Sequence, residues 1–153
     1  MTINERLNEL GISLAETPKP LGSYLPYVRS GNLIFMSGVL PLRNGKLVRT
    51  GRVGEAVSLD EAREDARQVV VNALSVLNVA AGDLGKISKC VKLNGYVASA
   101  ADFTDQPKVL NGASDLLVDL YGDRGRHTRL ALGIYEIANN VPIETQLVVS
   151  FKS

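Results

Sequence analysis

The apolar positions along this chain alternate between two periods, and the order of those stretches predicts an α+β domain. At the N-terminus, MTINERLNELGISL places Ile3, Leu7 and Leu10 on one side of a short amphipathic helix. Residues 15–27, AETPKPLGSYLPY, are rich in proline and read as an extended lead-in. VRSGNLIFMSGVLP then holds two short apolar runs around Ser30, Gly31 and Asn32, the signal of a β-hairpin. Leu33 to Met36 is continuously apolar, which predicts a strand buried on both faces. Residues 42–56 carry Gly45, Gly51 and Gly54 with little apolar pattern, and predict a surface loop with a brief strand at Leu47 and Val48.

Ser58-Leu59-Asp60-Glu61 fits a capping box, in which Ser58 and Glu61 satisfy the orphan amides of a helix start. Helical period then runs to Ala80, and Gly82 ends it. Lys86 to Ala98, with Ile87, Val91, Leu93 and Val97, predicts a long strand. Asp102 to Tyr121 returns to helical period and closes at Gly122. Gly125 to Phe151 predicts a final β-hairpin turning at Asn139 and Asn140. Two helices can cover one face of such a sheet in a two-layer domain. Leu33–Met36 and Leu147–Val149 make the other face too apolar for solvent, so self-association is the expected cover.

Composition narrows the class. The 153 residues are 45% hydrophobic and 22% charged, the range of a globular domain with a real core. No apolar run reaches the roughly 20 residues that cross a bilayer. The N-terminus lacks a signal-peptide layout, and Cys90 is the only cysteine, so a cytoplasmic location is expected. A formal charge of +1, no tryptophan and 5% aromatic residues argue against a nucleic-acid binder, although Arg124, Arg126, His127 and Arg129 form a local basic cluster.

Phosphate-loop, dinucleotide-binding, zinc-spacing and acyl-nucleophile motifs are absent, and one histidine excludes any site needing two. What remains are polar residues in apolar settings. Arg129 precedes Leu130, Ala131 and Leu132; its guanidinium suits a carboxylate, and an ion pair with a surface acid accounts for it equally well. Glu144 opens the last strand. In a partly dry cleft its pKa would rise towards acid–base use, whereas an outward-facing strand glutamate is the plainer reading. Tyr24 can wall a pocket or pack on the surface. Asn111-Gly112 in mid-helix marks a close approach or a kink. His127 reads as neutral and exposed, and Cys90 as an inert core thiol.

Taken in order, these stretches resemble the Rid family, also called YjgF or L-PSP-like proteins, from about Leu21 to Phe151. LGSYLPYV is similar to the family's G-P-Y segment and places Tyr24 on its tyrosine. FMSGVLP is similar to S-G-Q-I-P and puts Ser37 and Gly38 in a pocket wall. VLNGASDLL puts Asn111 on the helix asparagine, and HTRLALGIYEIANNVPIETQ matches the closing arginine and glutamate with Arg129 and Glu144. The resemblance implies a chorismate-mutase-like α+β domain over 21–153 behind an N-terminal extension, 1–20. It implies a homotrimer around a central barrel, with clefts between subunits. It further implies a deaminase of reactive 2-imino and enamine acids that uses no cofactor and no metal, with Arg129 holding the substrate carboxylate and Glu144 directing water. A non-catalytic binder of small carboxylates, and the endoribonuclease of the family's older label, are the alternatives. Ala131, where a cysteine is common, and Arg126-His127-Thr128 before the arginine mark a divergent branch.

Overall fold

The computed structural model describes residues 1–17 and 22–153. Leu21, where the resemblance begins, and the expected boundary after residue 20 lie outside the described residues. Helix α1 (Ile3–Glu9) starts with a capping box between Thr2 and Glu5 and buries Ile3 and Leu7 in the core. Helix α2 (Leu59–Ala81) starts with the predicted Ser58–Glu61 capping box and ends on Gly82 in the left-handed conformation. Helix α3 (Gln106–Tyr121) ends at Gly122. It starts four residues later than its periodicity implied, with Asp105 as its cap position and Pro107 in its first turn.

One five-stranded mixed sheet carries the helices. Its strands are β1 (Tyr27–Ser30), β2 (Leu33–Met36), β3 (Ile87–Ala98), β4 (Thr128–Ile134) and β5 (Ile143–Phe151), in spatial order β1-β2-β5-β3-β4. The β1–β2 hairpin forms as expected, turning at Gly31 with positive φ. The final hairpin does not form. β4 and β5 both pair with β3, β4 in parallel and β5 antiparallel, so β3 lies between them. Asn139 and Asn140 do turn the chain with positive φ. Residues 135–142, however, step across the end of β3, two strand spacings or roughly 10 Å. The long β3–β5 ladder and the β3–α3–β4 crossover between parallel strands outweigh the local turn.

Two smaller expectations also fail. Phe35 is 43% exposed, so β2 alternates between a packed and an open face and is not buried on both. Leu47 and Val48 are exposed and lie in no strand; only Arg43 and Lys46 bridge there. Cys90 is buried as expected, and burial pushes its thiol up to about 12.

Helices α2 and α3 pack side by side on one sheet face. A Cβ added at Gly112 would collide with the Arg63 backbone carbonyl, so the Asn111-Gly112 pair marks a close helix crossing. Two residues beyond Arg63 on α2, Asp65 is 1% exposed, and neither carboxylate oxygen has a hydrogen-bond partner among the described residues. Arg49 stands 3.6 Å away and donates its own hydrogen bond to the Glu61 carbonyl. Burial raises the Asp65 pKa from 3.8 to about 6; Arg49 and Arg43 pull it down, and Glu64 and Glu61 push it up.

A carboxyl whose folded pKa is raised costs nothing below its unfolded value and destabilises as pH climbs through the folded one. Between pH 4 and 7 the wild type should therefore lose stability relative to Asp65→Asn, by up to about 3 kcal/mol. Thermal melts across that range check this; a pH-independent gap in melting temperature between the two proteins would refute it. Gly112→Ala should cost about 1–3 kcal/mol in denaturant unfolding, because the collision is with backbone.

Candidate functional site

The alternation of side chains across strands sorts the candidate residues into two groups. Arg129 is opposite Leu93, which is opposite Leu147, and both leucines are buried on the helix-covered face. Arg129 therefore turns towards α3. Its Nη1 donates to Asn111 Oδ1 at 2.9 Å and to Ser114 Oγ at 3.2 Å. No carboxylate lies within ion-pair distance of it among the described residues. The surface ion pair is thus not what holds this half-buried cation. Two neutral acceptors hold it, which leaves its charge for an incoming anion.

Ser114 is the residue that sequence reasoning missed. It stands three positions after Asn111, on the same face of α3, and that spacing was the available signal. His127 extends the network and is neither isolated nor exposed. Its Nδ1 is 2.6 Å from the Gly125 carbonyl and its Nε2 is 2.9 Å from Ser114 Oγ. A carbonyl only accepts, so Nδ1 carries the proton and donates. In the neutral ring Nε2 then accepts from the Ser114 hydroxyl, whose oxygen in turn accepts from Arg129. The basic cluster disperses accordingly. Arg124 donates to the Ile87 carbonyl and lies over Tyr121, and Arg126 is solvent-exposed beside Asp123.

The second group lies at the start of β5. Glu144 is opposite Tyr96, which is opposite Leu132, all on the open face of the sheet. Burial raises the Glu144 pKa above 4.5, and no cation among the described residues acts in the other direction. The carboxylate rests against Gly38: a Cβ there would come within 2.5 Å of Oε2. Gly38, Ser37 and Tyr24 are among the residues that line a cleft of about 180 Å³. Ser37 anchors this wall, its hydroxyl donating to the Leu25 carbonyl and its amide to the Pro26 carbonyl.

The structure thus brings Tyr24, Ser37, Gly38 and Glu144 together, and separately Arg129 with Asn111. It does not join the two groups within one chain. Arg129 and Glu144 lie two strands and three residues apart on opposite faces, roughly 14 Å by strand geometry. The open face between the flanking strands carries Val28, Phe35, Leu130 and Leu132, each 43–52% exposed.

Comparison with known proteins follows the fold. The sequence pattern of the family described as "YjgF/chorismate mutase-like, putative endoribonuclease" matches residues 4–149. The chain is 34% identical over 148 residues to Protein TCP17 of Trypanosoma cruzi, covering 96% of this chain and 92% of that protein. It is similar to the crystal structure of a protein of unknown function from Agrobacterium tumefaciens, at 39% identity and a TM-score of 0.91, covering 99% of this chain and 93% of that one. A 2-iminobutanoate/2-iminopropanoate deaminase of Dermatophagoides farinae is 25% identical over 138 residues, 90% of this chain and 93% of that protein. Among the described residues, no helix is long and apolar enough to cross a membrane.

The hydrogen-bond chain makes a prediction independent of any activity. In ¹⁵N NMR at alkaline pH, His127 should show a protonated Nδ1 and an unprotonated Nε2. Ser114→Ala should shift the Nε2 resonance as its donor is lost. The opposite tautomer would mean that Arg129 is not braced through this chain.

Proposed function

The chain belongs to the YjgF/chorismate mutase-like family, and from that premise we propose that it hydrolyses reactive 2-imino acids to 2-oxo acids and ammonia without a cofactor. The observation that carries this reading is Arg129: a half-buried guanidinium, aimed by Asn111 and Ser114, with no carboxylate of its own. A small substrate carboxylate supplies the missing anion through a two-point contact. Glu144, raised by burial, suits proton transfer near neutral pH. It takes a proton from water as oxygen bonds to the imine carbon. It passes that proton to the imine nitrogen to give the neutral carbinolamine, then carries the carbinolamine's hydroxyl proton to the same nitrogen as the carbonyl forms, the C–N bond breaks and ammonia leaves. Enamine substrates tautomerise to the imine first. The name of the Dermatophagoides farinae relative supports the same reaction class.

One chain cannot perform this reaction, because its Arg129 and Glu144 face opposite sides of the sheet. We propose that a homotrimer joins them, with Arg129 of one copy facing Glu144, Gly38 and Tyr24 of the next. Apposition of the open sheet faces would also bury Val28, Phe35, Leu130 and Leu132, which otherwise meet water. Light scattering at micromolar concentration should return a trimer mass; a natively folded monomer would refute the assembly.

The two residues should fail differently. Arg129→Ala should weaken carboxylate binding and lower kcat/KM more than tenfold, since a charge-assisted pair contributes about 1.5–3 kcal/mol. Glu144→Gln should leave ligand affinity nearly intact and lower kcat by roughly 10²–10⁴-fold. Co-expressing the two variants should restore part of the activity, because mixed trimers contain sites with both native residues. Full turnover in Glu144→Gln removes it from the mechanism, and unchanged ligand binding in Arg129→Ala removes the carboxylate contact.

A further inference from the structure

Arg129 is held from one side only. Its Nη1 carries two hydrogens, and Asn111 Oδ1 and Ser114 Oγ take both, which leaves Nη2 and Nε as the fork for a carboxylate. Ser114 Oγ is also 2.9 Å from His127 Nε2, so the ring and the guanidinium share one oxygen. Through that oxygen, Nε2 and Nη1 are no more than roughly 6 Å apart. Nδ1 fixes the ring by donating to the Gly125 carbonyl. Gly125 is fixed in turn, since a Cβ there would collide with the Leu117 carbonyl of α3. Each element around the ring brings charge. On β4 it is Arg129. In the turn before β4, Arg126 pairs with exposed Asp123, and Arg124 donates to the Ile87 carbonyl. On α3, Asp115 follows Ser114 and is exposed, and Arg63 of α2 reaches α3 at Gly112 and donates to the Lys108 carbonyl. On β3, Lys89 donates to the Asp123 carbonyl, and Lys92 is exposed opposite Thr128. No carboxylate among the described residues pairs with the ring or with Arg129.

We propose that His127 is a positioning residue of the carboxylate site, acting on Arg129 through Ser114, and that proton uptake by its ring strengthens anion binding there. The inference rests on Arg129 as the carboxylate contact of the proposed reaction. With the ring neutral, Ser114 donates to Nε2 and accepts from Arg129. Histidine is the side chain that changes charge between about pH 5 and 8. When Nε2 takes a proton from solvent it becomes a donor. Its hydrogen and that of Arg129 then both point at Ser114 Oγ, which has two lone pairs to accept them. The displaced hydroxyl hydrogen has an acceptor four positions back on α3, the Leu110 carbonyl. The brace on Nη1 is therefore kept in both states, while the site goes from one cation to two. Two like charges at that separation repel, and an anion on the Arg129 fork offsets the repulsion. Anion binding and ring protonation thus favour each other, and linkage requires each to strengthen the other by the same factor. The carboxylates of a 2-imino acid and of its 2-oxo product are both held more tightly as the ring gains its proton.

The test uses the untagged full chain, with pyruvate as the 2-oxo acid probe. Calorimetry in a Glu144→Gln background removes that carboxyl's own titration. Pyruvate should then bind roughly three- to tenfold more tightly at about pH 6 than at about pH 8. Adding His127→Gln, which stays neutral, should make binding alike at both pH values; a gain of the same size in that protein overturns the proposal. With Glu144 intact, Ser114→Ala should raise KM for an imine more than it lowers kcat, and Ser114→Thr, which returns the hydroxyl, should restore KM. An unchanged KM in Ser114→Ala overturns the positioning role. The unmutated protein gives a second readout, because His127 is the only histidine and its ring signals need no assignment. Saturating pyruvate should keep the ring doubly protonated to higher pH in ¹⁵N NMR; a ring titration that bound pyruvate leaves unmoved overturns the coupling. Ammonia release from freshly generated 2-imino acids tests the deaminase reading separately. Turnover with a pH-independent pyruvate affinity removes His127 and leaves the reaction standing. Pyruvate binding that follows His127 without turnover does the reverse. If pyruvate does not bind at either pH, the proposal falls.

Discussion

Strand β3 imposes the constraint on which the rest of the molecule depends. It is an interior strand, pairs on both edges, and has its side chains packed on one face only, under α2 and α3. Because successive side chains alternate across a sheet, every residue of β4 and β5 inherits a face from its β3 partner. Arg129 inherits the covered face through Leu93, and Glu144 the open face through Tyr96. The same alternation buries Leu147 and Val149 and leaves Phe35, Leu130 and Leu132 to be covered from outside. The division of the candidate site and the exposed apolar surface are therefore one geometric fact, and the proposed trimer would address both.

Charge is handled in three ways across the fold. Glu5 and Glu61 sit in capping boxes, fully exposed, where backbone and hydroxyl donors lower their pKa values. Asp65 is buried beside Arg49 and Arg43, and desolvation still prevails over their attraction. Glu144 is raised by burial with no cation opposing it among the described residues, and its carboxylate rests against Gly38. Asp65 has cations that tie it to the neighbouring loop, which makes it a structural cost. Glu144 has none among the described residues and is half-buried on the open face of the sheet. A raised pKa alone does not separate the two; the neighbours do.

Asn72 ties the Leu40–Leu42 segment to α2, and that brace holds open an apolar recess behind Gly38. On the other half, His127 and Ser114 continue the support of Arg129 beyond Asn111. Ala131, where the family often has a cysteine, pairs with Gly95 on the covered face, so thiol chemistry is not available at that position.

Period and punctuation made much of this molecule legible from its residues alone. The capping box at Ser58, the helical period to Ala80, the Gly82 terminus and the β1–β2 turn are local, and each depends on neighbours only a few positions away. Arg129, Glu144, Tyr24, Ser37, Gly38 and Asn111 were recognisable as a set by resemblance to a family. Which strand lies between β4 and β5 was not legible, because pairing order is set by long-range ladders and a crossover, while Asn139-Asn140 encodes only a turn. Phe35 looked buried for the same reason: an apolar run does not say which face will be covered. Ser114 and Asp65 acquire their roles from α3 facing β4 and from a loop closing over α2, contacts that have no local signature. The sequence by itself determined the elements and the chemistry they carry. Tertiary packing decided which face each side chain occupies, and so which residues one ligand can meet.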